Sequence, residues 1–166
     1  MIKRILKALE ILFCCAAVVL CGCAKSERAE VQTDFKAGFR ASFHGLSLEG
    51  EVLNTRRGIA DFSFSAPDTL SGLNLGYRDG TLQISRGSIK CTADEAYLPD
   101  ASFCSLLREF FAHLARGEYE TSDSGCTMTL NGNPCDFSAD SGGLPLCLSS
   151  PENYLSVEFY NAEKID

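Results

Sequence analysis

Between Phe35 and Tyr160 apolar and polar residues alternate almost continuously, and that rhythm breaks once. An alternation of period two puts the apolar side chains of a segment on one face, as in a half-buried strand. Phe35, Ala37, Phe39, Ala41 and Phe43 form the clearest such series, and His44-Gly45 turns the chain out of it. Leu46, Leu48 and Val52 follow, then Ala60, Phe62 and Phe64, which Pro67 ends. Leu73 to Tyr77, Thr81 to Ser85 and Ser88 to Thr92 continue the series, joined through Asp79-Gly80 and Arg86-Gly87. Asp-Gly favours a tight hairpin turn because both residues accept positive φ. The break comes at residues 101–116, where Phe103, Leu106, Leu107, Phe110, Phe111 and Leu114 fall at helical spacing on a wide apolar stripe. Asp100 or Ser102 is placed to cap that helix, and Gly117 to stop it. Strands resume at Cys126–Leu130, turn at Asn131-Gly132 and return through Cys135–Ala139; Leu144–Leu148 and Tyr154–Tyr160 close the series.

About nine one-faced strands and one long helix leave few architectures open. Each apolar face needs a cover, and the inserted helix is the only large one available. The expected fold is mainly β with one inserted long helix (α+β). It is a curved antiparallel sheet, an unclosed half-barrel wrapped around the helix.

The first residues follow other rules. Lys3, Arg4 and Lys7 precede the apolar run Ile11–Leu20, and a polar segment begins at Ala24. That order describes an export signal, and the run is short for a ~30 Å hydrocarbon core. Leu20-Cys21-Gly22-Cys23 resembles a bacterial lipobox. The resemblance implies cleavage before Cys23 and acylation of its sulfur with chains such as palmitate. The expected organisation is a signal peptide at 1–22, an acylated cysteine and polar tether at 23–34, and a single domain at 35–166. The expected location is the extracytoplasmic side of a membrane, held by the lipid anchor. Loss of Lys3, Arg4, Lys7 and Glu10 moves the formal charge from −7 to −9. So acidic a chain is a poor partner for nucleic acid, which requires concentrated positive charge.

The runs Gly58-Ile59-Ala60-Asp61-Phe62-Ser63-Phe64-Ser65-Ala66-Pro67 and Tyr77-Arg78-Asp79-Gly80-Thr81-Leu82-Gln83-Ile84 resemble strand and hairpin segments of the Lol-type (LolA/LolB-like) lipoprotein carrier and receptor superfamily. The likeness extends over residues 35–160. It implies an unclosed barrel plugged by helix, with no cofactor, in which some members hold acyl chains in an apolar hollow and others serve as accessory envelope lipoproteins. No functional residue of the family transfers to a position here, and the chain lacks tryptophan.

Several side chains invite chemistry. Asp140-Ser141-Gly142-Gly143 resembles the nucleophile segment of chymotrypsin-like proteases, with His44 and His113 as the available bases. A serine hydrolase using Ser141 is a minor alternative, because a nucleophile needs an oriented base and these four residues equally suit a turn. Five cysteines remain in the domain: Cys91, Cys104, Cys126, Cys135 and Cys147. None forms a Cys-x-x-Cys pair, so no metal site is expected. A two-residue turn at Asn131-Gly132 sets Cys126 opposite Phe137 and Cys135 opposite Met128, which favours buried free thiols over a disulfide. Cys91 and Cys147 remain open as partners. His113 reads as a boundary residue satisfied by a carbonyl or water, and Arg56-Arg57 as a solvated turn.

The aromatic set points furthest. Ten of the eleven phenylalanines lie beyond the signal. Phe39, Phe62, Phe64, Leu107 and Phe111 are expected to line a hydrophobic hollow between sheet and helix that takes a lipid or other apolar group. The alternative is a scaffold lipoprotein with a filled core that docks an envelope partner protein.

Overall fold

The computed structural model describes residues 30–122 and 125–165. The signal segment and Cys23 lie outside them. The described chain runs through β1 (Phe35–Phe43), β2 (Leu46–Asn54), β3 (Ala60–Ala66), β4 (Leu73–Arg78), β5 (Thr81–Arg86) and β6 (Ile89–Asp94). The helix α1 (Phe103–Arg116) follows, then β7 (Glu120–Ser122), β8 (Gly125–Leu130), β9 (Asn133–Ala139), β10 (Pro145–Ser150) and β11 (Leu155–Lys164). All strands belong to one eleven-stranded sheet, in the order β6-β5-β4-β3-β2-β1-β11-β10-β9-β8-β7. Every neighbouring pair is antiparallel.

The first and last strands meet in the middle of this sheet, where Phe39 stands opposite Phe159 and Ala41 opposite Val157. Its two edges, β6 and β7, are the strands that flank the helix in sequence. The helix therefore carries the chain from one edge to the other, and the sheet stays open as a curved half-barrel.

Local chemistry explains the elements. Ser102 accepts the Ser105 N–H and caps α1, while Gly117 ends it at φ 68°, its N–H directed to the His113 and Leu114 carbonyls. At the β8–β9 turn Asn131 and Gly132 both have positive φ, 48° and 76°, as a tight two-residue hairpin requires. That turn sets Cys126 against Phe137 and Met128 against Cys135, the expected register.

Inner-face aromatics and the helical stripe build the core. Phe35, Phe39, Phe62 and Phe110 are fully buried. Phe103 sits 5.4 Å from Phe39 and 6.1 Å from Phe64, Phe111 is 5.5 Å from Phe35, and Phe110 is 5.3 Å from Phe137. Burying one such ring contributes about 1.5–3 kcal/mol, and edge-to-face pairs add about 0.5–1.5 kcal/mol each.

Two details differ from the sequence reading, and a third answers a point it left open. Among the described residues the strands number eleven, and β7, wholly exposed, shows no alternation that would reveal it. Residues 31–33 of the expected polar tether are docked on the domain: Val31 and Thr33 are buried, and Gln32 N–H donates to the Gly143 carbonyl at 2.8 Å. All five domain cysteines are free, Cys91 and Cys147 exposed and the other three buried.

Candidate functional site

The five residues expected to line a hollow all lie on the concave side, and they are packed against one another and the helix. Phe39, Phe62 and Leu107 are fully buried, Phe111 is 3% exposed and Phe64 6%. Rings fill the space around them: Phe39 meets Phe64 at 5.9 Å, and Phe62 meets Tyr77 at 6.1 Å. Phe111 alone of the five reaches one of the three surface clefts described below.

The concave surface does not end with the helix. Tyr77 on β4 lies under α1, with the Arg108 guanidinium 4.2 Å from its ring centre, so its face of β4 looks inward. Leu73 and Leu75 share that face. Register carries it to Leu82, Ile84 and Arg86 on β5 and to Ala93, Cys91 and Ile89 on β6. Cover fails progressively along it: Tyr77 and Leu82 are buried, Leu73, Leu75 and Ile84 are half-buried, and Ile89 is 73% exposed. Strands β4 to β6 thus form a flap whose apolar inner face projects past the helix.

One polar clamp pins the flap. Arg108 stacks on Tyr77 and pairs with Glu95, just beyond β6, at 2.9 Å. Burial raises the Tyr77 phenol well above its usual range, with the nearby Cys104 reinforcing the shift and Arg108 opposing it. Burial likewise raises the Cys104 thiol. Both groups stay protonated and neutral, as a nearly dry contact requires.

Among the described residues, clefts open around the helix, and three of them bear on the site. A polar one of about 880 Å³ lies between the β4–β5 turn, the segment after β6 and α1; it holds Asp79, Asp94, Glu95, Asp100 and Glu109 against the single Arg108. A second, of about 600 Å³, lies beside His113, Tyr119 and β8. A third, of about 260 Å³, lies between the β2–β3 turn and the end of α1, and Arg56 contributes to it. Sequence alone assigns Arg56 to a solvated turn. Its basic pairing with Arg57 in an acidic chain is the signal that could have found it.

The remaining candidates resolve into structural roles. Asp140 Oδ1 accepts from the Gly142 and Leu144 N–H groups at 2.8 and 2.9 Å, so the protease-like string is an aspartate-organised turn. Gly143 is needed at φ 85° because a Cβ there would meet the Glu30 carbonyl of the docked N-terminal segment. Ser141 is exposed at its tip, and no described hydrogen bond ties it to a histidine. His113 is held by carboxylates, with Glu118 at 2.8 Å and Glu109 at 3.6 Å. The Glu118 carboxyl is lowered by its hydrogen bond from Arg116, with His113 adding to the effect. His44 is exposed, edge-on to Phe43 at 4.6 Å and tilted against Tyr154 at 5.0 Å. Burial pushes the Cys135 thiol up to about 12. Among the described residues no three His, Cys, Asp or Glu side chains gather as a metal site, and no helix is long and apolar enough to cross a membrane.

No protein-family model matches the chain, and no curated protein matches it. Among solved structures, an uncharacterized conserved protein from Thermus thermophilus is similar with a TM-score of 0.48 at 11% identity, over 91% of this chain and 88% of that one. A LolA superfamily protein from Nitrosomonas europaea is similar with a TM-score of 0.43 at 9% identity, over 85% and 90% of the two chains. A DUF1329 family protein from Desulfovibrio piger is similar with a TM-score of 0.37 at 10% identity, over 80% and 86%. These likenesses are ones of outline; the site residues above are read from this chain's own geometry.

Proposed function

We propose that the chain is a non-enzymatic, membrane-anchored envelope lipoprotein that takes a lipid or other apolar group on the concave side of its half-barrel. The observation that carries this reading is the uncovered inner face of the flap. Leu73, Leu75 and Ile84 are half-buried at the margin of the core cluster, with part of each side chain left open, and Ile89 projects beyond them. Apolar surface left open in a concavity is what an acyl chain covers at a gain of about 25 cal/mol per Å². Phe39, Phe62, Phe64, Leu107 and Phe111 form the wall behind it. A ligand going deeper among them requires the helix to part from the flap, which the Arg108 clamp resists.

A fluorescent fatty acid should bind the chain saturably. Leu73→Asp combined with Ile84→Asp should weaken it about tenfold or more, because each charge would face the tail unpaired. Lack of saturable binding by the parent protein would sink the reading. Acylation is tested separately: Cys23→Ser should abolish incorporation of a palmitate analogue, and undiminished labelling would move the anchor elsewhere.

A second reading, a scaffold lipoprotein docking a partner protein, draws on β6. This edge strand has no buried residue along its length, and a bare edge is a template for strand addition.

A further inference from the structure

The cleft at the end of the helix has a composition at odds with the rest of the molecule. It lies between the β2–β3 turn and the second half of α1, and three arginines line it: Arg56, Arg108 and Arg116. No carboxylate lines it, in a chain whose formal charge is −7. Its volume is about 260 Å³, the scale of a small polar group rather than a whole lipid.

Two of the arginines are held in place and the third is free to engage. Arg108 is fixed by Glu95 at 2.9 Å and by the Tyr77 ring, and Arg116 by Glu118 at 2.8 Å. Arg56 donates through Nε to Thr33 Oγ1 at 3.3 Å and makes no ion pair among the described residues. The neighbouring carboxylate, Asp34, accepts the Arg56 backbone N–H at 2.8 Å. Thr55, also on the lining, has a buried hydroxyl with no hydrogen-bond partner among the described residues. A buried hydroxyl left unmatched is destabilising, and an acceptor in the cleft would satisfy it. The end of a helix repels anions, but here the His113 and Leu114 carbonyls are already taken by the Gly117 and Glu118 N–H groups. The unpaired charge of Arg56 outweighs the remaining half charge, and Arg108 and Arg116, though paired, add guanidinium donors.

We propose that this cleft is a binding site for a phosphate group, carried either by an anionic lipid headgroup or by free phosphate. Guanidinium forks match the tetrahedral oxygens of phosphate in bidentate fashion, and the Thr55 hydroxyl supplies a further donor. The cleft also has an apolar wall, from Phe111, Ala112 and Ala115, that suits the first carbons of a lipid. This inference is independent of the apolar-ligand reading, since none of the flap's open residues lines the cleft.

The test is calorimetric titration of the full chain, in neutral detergent, with inorganic phosphate, dihexanoyl phosphatidic acid and dihexanoyl phosphatidylcholine. Phosphatidic acid should bind saturably, and phosphatidylcholine at least tenfold more weakly. Phosphate binding as tightly as phosphatidic acid would identify the free ion as the source; phosphatidic acid alone would identify the headgroup. Arg56→Ala and Thr55→Val should each weaken binding, the first by about tenfold, equivalent to about 1.4 kcal/mol. Arg57→Ala, which lies outside the cleft, should change it less than twofold. The proposal falls if neither phosphate compound binds, if phosphatidylcholine binds equally well, or if Arg57→Ala matches Arg56→Ala. Unchanged melting temperatures of the variants separate lost binding from lost fold.

Discussion

The seam and the flap of the sheet carry the same sequence rhythm and reach different ends. At the seam, the inner residues Phe35, Ala37, Phe39 and Ala41 of β1 are all at most 7% exposed. In the flap, β4 and β5 each bury one residue, Tyr77 and Leu82, and β6 buries none. The difference lies in the cover. The helical stripe meets Phe35 and Phe39 ring to ring, whereas the flap receives chiefly Arg108 at one corner. Alternation reports that a strand has an apolar face; it does not report that anything lies on that face.

The contrast is open to attack in order of expected effect. Phe39→Ala, at the seam, should cost about 3–5 kcal/mol in chemical denaturation; a loss below about 1 kcal/mol would mean that the seam is no better packed than the flap. Alkali should come next, because Tyr77 and Cys104 meet where the flap joins the helix and both are raised by burial. Their contribution is complete below the unfolded values, about 8.5 for a thiol and about 10 for a phenol. It is lost as pH rises from there toward the folded values, because the unfolded chain releases its protons first. Cys135, at about 12, adds in the same direction. A melting series above pH ~8.5 should show the decline, and phenolate absorbance should show Tyr77 ionising only as the fold opens. Flat stability to high pH would place these groups in contact with water. The smallest effect belongs to Ile89→Ser at the flap's rim, within about 0.5 kcal/mol by the same denaturation. A larger cost would show that the rim is covered in solution.

Much of the fold was legible because it is written in local chemistry. The helix could be read from its 3.6-residue stripe, from Ser102 and from Gly117. The Cys126–Phe137 register followed from one Asn-Gly turn. What local chemistry omits is which strands meet across distance. The pairing of β1 with β11 and the crossing of the helix between edges carry no signature within a window of ten residues. The lining residues were legible as apolar and inward, but not as packed, since packing depends on the rings they face. The arginine cleft was invisible for a related reason: Arg56 and Arg116 lie far apart in sequence and meet only because the helix ends beside the β2–β3 turn.

That central pairing of β1 with β11 has a temporal consequence. Each half of the sheet is a chain of local hairpins, able to form as its own residues become available. The two halves join only through the final ten-residue strand, whose Lys164 stands opposite Phe35. Contacts that span nearly the whole chain close slowly, because the loop entropy is lost before the pairing repays it. On this topology the β1–β11 pairing is the step expected to close last. Until that step ends, the edges of both halves stand open as sticky templates, the state in which a chaperone has most to protect.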